Sequence, residues 1–167
     1  MWRIVQYGKQ AKKGVTQGNL LYKGIKLDFI NLLEFIKNDK LIISFAHFLM
    51  ISPRKELALL KSERNLALAD RKNQNLFSVI LNIEYYYDNN FEPSIFDINE
   101  LMPYPDEEEF IALPFTFFEV KKIEYNTKNM DADIYLNVIG KSEILENKIK
   151  KGKKLVYDEN RKIMISS

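Results

Sequence analysis

Glu107, Glu108 and Glu109 stand directly before the apolar run Phe110-Ile111-Ala112-Leu113, and Pro114-Phe115-Thr116-Phe117-Phe118 follows it. In an extended chain the side chains alternate faces, so the spacing predicts Glu107 and Glu109 on one side and Glu108 on the other. Two carboxylates on one face of a partly buried strand repel each other. A fold tolerates them mainly where something cationic binds, and the chemistry open to such a pair is the holding of positive charge. A solvated acidic loop ahead of a strand is the competing reading.

Composition limits the alternatives. The chain has 167 residues, 46% of them hydrophobic and 13% aromatic, enough for one folded domain over 1–167 with a sizeable core. The 25 basic and 23 acidic residues nearly cancel, so bulk charge gives no sign of a nucleic-acid partner. Five lysines lie between Lys148 and Lys154, and a solvated tail is the favoured reading of that run. With no cysteine, disulfides, thiolate chemistry and zinc–thiolate sites are excluded, and with His47 as the only histidine so is a multi-histidine metal site. His47 itself reads as a packed core or edge residue. No apolar run is long enough to span a membrane and Met1-Trp2-Arg3 leads into no signal-type stretch, so an intracellular, cytoplasmic protein without a membrane partner is expected.

The elements that must position the acidic run follow from periodicity. A strand is predicted over Leu20–Leu27, then a helix over Phe29–Lys37 capped by Asp28, with Phe29, Leu32, Leu33 and Ile36 on its apolar face. Leu41–Phe45 and Phe48–Ile51 read as short strands. Ser52-Pro53, with Glu56 near the capping-box place, predicts a second helix running to about Ala69. Leu76–Tyr87, Glu107–Leu113, Phe115–Tyr125 and Ile134–Ile139 read as strands, with an irregular connection over Asp88–Met102. A short helix over Ser142–Lys150 and a closing hairpin from Leu155–Asp158 and Lys162–Ile165 complete the chain. Tyr85-Tyr86-Tyr87 and the Phe115–Phe118 cluster read as core and sheet aromatics, because a nucleic-acid stacking platform would need interleaved Arg or Lys. Helices in the first half and strands in the second make an α+β fold, a mainly antiparallel sheet with helices packed from the N-terminal half.

Three segments in order resemble one family. Leu21-Tyr22-Lys23-Gly24 is similar to a Tyr-Arg-Gly strand. Phe48-Leu49-Met50-Ile51-Ser52, with Ala58 on the helix that follows, is similar to Phe-x-Ser-Thr-Ser. Glu107-Glu108-Glu109-Phe110, with Pro114-Phe115 and Phe118 beyond, is similar to Glu-x-Glu and its Pro-Phe turn. Over about residues 20–124 the set resembles the arginine-specific mono-ADP-ribosyltransferases. The resemblance implies a split, mainly antiparallel β-sandwich that holds NAD, as co-substrate and without a metal, in a cleft between two sheets. It implies that Glu109 holds the nicotinamide ribose and stabilises an oxocarbenium-like transition state, and that Glu107 orients or deprotonates the acceptor guanidinium. Lys23, Gly24 and Ser52 are the implied NAD contacts, and a protein with an exposed arginine is the implied acceptor. The domain could also sit in a larger assembly.

Two positions depart from the family pattern. Lys23 stands where the family has Arg, which keeps the charge and loses the planar fork. Met50 stands where the family has the first Ser of Ser-Thr-Ser, whose hydroxyl buttresses the catalytic Glu, and a thioether cannot donate that bond. Three functions therefore remain open: transfer of ADP-ribose to arginine, a non-catalytic copy of the fold acting as a binding or structural subunit, and NAD hydrolysis with water as acceptor. For Lys23 the bland alternative is a surface strand lysine, and for Ser52 an N-cap without a ligand.

Overall fold

The computed structural model describes residues 19–37, 41–62, 75–85, 94–99 and 109–139, together with the backbone of 155–158 and 163–166. Among the described residues ten strands form two sheets. The larger is ordered β1 (Asn19–Asp28), β4 (Leu76–Tyr85), β8 (Asp131–Ile139), β7 (Phe117–Asn126), β2 (Ile42–Phe45), β10 (Ile163–Ser166), β9 (Leu155–Asp158). The smaller is ordered β3 (Leu49–Ile51), β6 (Phe110–Ala112), β5 (Ile95–Asp97). All pairings are antiparallel except β4 with β8. The expected α+β, mainly antiparallel architecture is the one observed.

Burial follows position in the sheet. β4 runs between β1 and β8 and its residues from Phe77 to Ile83 are buried, which suits a nearly continuous apolar run covered on both faces. β8 keeps the two-residue alternation, burying Ala132, Ile134 and Leu136. One apolar cluster draws on both sheets: Leu49, Ile51, Ile95, Phe110 and Ala112 of the small sheet meet Leu21, Ile43, Ile83, Phe118, Ile134 and Leu136 of the large one. Packing one sheet on the other in this way makes the sandwich.

Helix α1 covers Phe29–Lys37, as expected. Asp28 caps it: its Oδ1 accepts from the Asn31 backbone N–H at 2.8 Å, and its Oδ2 from the Asn31 amide at 2.7 Å. The helix buries Leu32 and Phe35, with Phe29 and Ile36 packed at the margin.

Helix α2 departs from the sequence expectation. It covers Lys55–Lys61 and begins at Arg54 without a side-chain cap, and residues 63–69 of the expected helix lie outside the described residues. Ser52 is unavailable as a cap because its backbone pairs with Tyr22 instead, and its Oγ accepts from the Arg54 N–H at 3.1 Å, which turns the chain before the helix starts. The helix ends at Ser62, whose hydroxyl donates to the Leu59 carbonyl at 2.9 Å and accepts from the Ser78 hydroxyl at 2.9 Å. Those bonds compete with continuation of the helix. Of its apolar residues Ala58 is buried and Leu60 is exposed.

Smaller differences follow the same physics. The connection expected over Asp88–Met102 contains β5, too short to show a period. Phe115, expected in the core, is 44% exposed with φ of 61°, because the turn after Pro114 sends it outward while Phe118 takes the buried place. His47 is exposed, its ring edge-on to Phe45, as an edge histidine. The closing hairpin is present as β9–β10, which extends the large sheet beside β2. Glu107, Glu108, Tyr86, Tyr87, the helix expected over 142–150 and the lysine run lie outside the described residues.

Candidate active site

Two backbone hydrogen bonds join the sheets. The Tyr22 N–H donates to the Ser52 carbonyl at 2.7 Å, and the Ser52 N–H to the Tyr22 carbonyl at 3.0 Å. This bridge sets Ser52, at the end of β3, beside the stretch of β1 that carries Lys23 and Gly24. On its other side β3 pairs with β6 as Met50 with Ile111 and Ile51 with Phe110. Glu109 directly precedes Phe110, the β6 partner of Ile51. Residues some 30 and then nearly 60 positions apart along the chain thus share one corner.

Gly24 decides how closely α2 approaches β1. A β-carbon at position 24 would lie 2.0 Å from the Ala58 carbonyl oxygen and 2.6 Å from the Ser62 nitrogen, both backbone atoms. Only glycine admits the helix at that distance. At the start of α2, the Lys55 ammonium lies 5.8 Å from the centre of the Tyr22 ring and 3.9 Å from Asp133. At its end, the Ser62–Ser78 bond ties it to β4. The helix is therefore fixed at both ends, and its last residue, Lys61, projects toward Glu109.

Glu109 precedes β6 and is 6% exposed. Its N–H donates to the Asn99 side-chain oxygen at 2.6 Å, and its carbonyl accepts from the Ile98 N–H at 3.2 Å. Its Oε1 accepts from the Lys61 ammonium at 2.9 Å. A buried carboxylate needs such a partner, because losing water around an ionised group is costly. Lys61 was not legible as a site residue: it stands 48 positions from Glu109 and reads in the sequence as an ordinary helical lysine. Met50, partly buried, packs against a small apolar cluster of Phe96, Ile98 and Ile111 apart from the main core.

Lys23 lies within electrostatic reach of both Lys61 and Glu109. Burial holds its ammonium below the ordinary pKa of 10.5, Lys61 pushes it in the same direction, and Glu109 offsets part of the effect. Because the folded-state value is the lower one, the unfolded chain holds this proton more tightly, and the associated penalty on folding fades as pH rises toward 10.5. Lys23→Met is accordingly expected to be more stable than the wild type at neutral pH, with the gap narrowing as pH rises in the alkaline range. Urea unfolding at several pH values checks this, and a gap that widens would contradict it. The corner thus holds two cations around one buried carboxylate, an arrangement suited to an anionic ligand that develops positive charge elsewhere in its structure.

No protein-family model and no curated protein matches the chain. Solved structures do. The ADP-ribosyltransferase Vis in complex with agmatine superimposes with a TM-score of 0.56 at 16% identity, over 83% of this chain and 57% of that one. A second structure of Vis, a toxin from Vibrio splendidus, gives 0.55 at the same identity. An ADP-ribosyltransferase from Clostridium botulinum gives 0.53 at 10% identity, over 80% of this chain and 67% of that one. HopU1 of Pseudomonas syringae, another ADP-ribosyltransferase, gives 0.52 at 15% identity, over 75% and 46%. The chain has the ADP-ribosyltransferase fold and spans a little over half the length of Vis. Among the described residues no helix is long and apolar enough to cross a membrane.

Proposed function

We propose that this chain is an NAD-dependent mono-ADP-ribosyltransferase that modifies arginine side chains of a protein acceptor. What supports the reading is the electrostatic reach between Lys23 and the buried Glu109, with Ser52 held to the neighbouring Tyr22 by a backbone bridge, in an ADP-ribosyltransferase fold. NAD fits the charges present. Its diphosphate offers an anion to the half-buried Lys23, and its nicotinamide ribose offers hydroxyls to a fixed carboxylate. The bond between ribose C1′ and the nicotinamide nitrogen breaks with its electron pair going to nicotinamide, which leaves neutral. Positive charge then develops on the ribose, and Glu109 stabilises it more strongly in the transition state than in the ground state. Glu107, the first carboxylate of the motif, takes the proton that the guanidinium loses as its nitrogen bonds to C1′.

Agmatine in the Vis structure carries a guanidinium, which supports arginine as the acceptor class for the shared fold. The test is nicotinamide release from NAD with and without agmatine. Release that accelerates with agmatine, yielding ADP-ribosyl-agmatine, supports the transferase; release indifferent to agmatine supports the hydrolase. Lys23→Met is expected to weaken NAD binding about 10- to 100-fold by loss of a charge-assisted contact.

Met50 favours a second reading. It fills an apolar cluster with Phe96, Ile98 and Ile111 where the family motif has a hydroxyl, which suits a binding subunit that has lost turnover. NAD binding by calorimetry without nicotinamide release would select that reading.

A further inference from the structure

We infer that Lys61 is a positioning residue for Glu109: it fixes the carboxylate from the side and leaves the second oxygen for substrate. The inference rests on the proposed NAD chemistry. Glu109 is pinned twice through its main chain, to Asn99 and Ile98, but those bonds leave its side-chain torsions free. Among the described residues, the hydrogen bond to its carboxylate comes from Lys61, at 2.9 Å on Oε1. Met50 and Ile111, paired across the adjacent strands, are apolar and donate nothing.

Lys61 can hold this position because it is the last residue of α2, and α2 is seated on Gly24 of β1 and tied to Ser78 of β4. The bond therefore transmits the rigidity of the large sheet to a carboxylate carried by the small one. An ammonium so near a carboxylate also offsets some of the field that stabilises a cation. Lys61 is half-exposed and solvent screens its charge, so orientation outweighs that loss.

A phosphate-binding lysine in the same place would affect NAD binding independently of Glu109, and this separates the two roles. Kinetics of nicotinamide release and NAD calorimetry would be measured on wild type, Lys61→Met, Lys61→Arg, Glu109→Gln and the Lys61→Met/Glu109→Gln double variant, with unfolding temperatures as a control on folding. If Lys61 acts through Glu109, Lys61→Met lowers kcat roughly 10- to 100-fold with the KM for NAD nearly unchanged. Lys61→Arg recovers most of that, and the double variant is no worse than Glu109→Gln alone. A raised KM at unchanged kcat, or losses in the double variant that multiply, overturns the positioning role and leaves the transferase reading intact. Unchanged kinetics in Lys61→Met overturns it as well. A folded wild type that neither binds NAD nor releases nicotinamide overturns the transferase reading, and the positioning role with it.

Discussion

Glu109→Gln is expected to lower kcat for nicotinamide release by about 100- to 1,000-fold, with a much smaller change in NAD affinity. The substitution keeps size and shape and removes one negative charge. In the ground state Glu109 would offer hydrogen bonds to ribose hydroxyls, which a glutamine amide can largely replace. As the glycosidic bond lengthens, the ribose becomes cationic, and only a carboxylate gains from that charge. Burial enlarges the difference, because Glu109 is 6% exposed and little water intervenes to screen the interaction. Nicotinamide release and NAD calorimetry on the same preparation test this. Equal losses in affinity and turnover would make Glu109 a binding residue and remove it from the chemistry. The variant should fold, since Lys61 is half-exposed and can be solvated once its partner is neutral.

Gly24→Ala is expected to cost far more stability than a single methyl group usually does. The new β-carbon would meet the Ala58 carbonyl oxygen at 2.0 Å and the Ser62 nitrogen at 2.6 Å, and both are backbone atoms with no rotamer to yield. Either α2 lifts from β1 or β1 bends. Overpacking of this kind costs about 3 kcal/mol or more, roughly 10 °C in Tm for a chain of this size. The change also reaches the site. Lifting α2 withdraws Lys61 from Glu109 and strains the Ser62–Ser78 bond, so turnover falls even below the unfolding transition. Thermal unfolding and single-turnover kinetics at low temperature measure the two effects separately. A variant with unaltered Tm would mean that α2 does not rest on Gly24.

Much of the fold was legible in the sequence because the responsible forces act locally. Asp28 and the 3.6-residue spacing behind it specify α1 to its ends, and the continuous apolar run of β4 and the alternation in β8 announce strands buried to different degrees. Expectation and structure part where a long-range contact took a residue first. Ser52 has the chemistry of a helix cap, yet its backbone is committed to Tyr22 and α2 starts later. Ser62, at the C-terminal cap of that helix, is held by a hydroxyl bonded to Ser78, sixteen positions away. Phe115 is as apolar as Phe118, and only the geometry of the turn between β6 and β7 exposes one and buries the other.

The site divides the same way. Glu109 could be singled out from residue type and spacing, as a carboxylate ahead of an apolar strand, whereas Lys23, Gly24 and Ser52 stood out only through the resemblance of their segments to a known family. What binds them into one site was not visible. The Tyr22–Ser52 bridge, the seat of α2 on Gly24 and the Lys61 bond to Glu109 join residues 30 to 48 positions apart. By itself the sequence determined which side chains carry charge and which segments extend or coil, because those depend on a residue and its near neighbours. Tertiary structure alone decided that a lysine at the end of one helix meets a particular carboxylate, because that contact depends on how two sheets and a helix pack together.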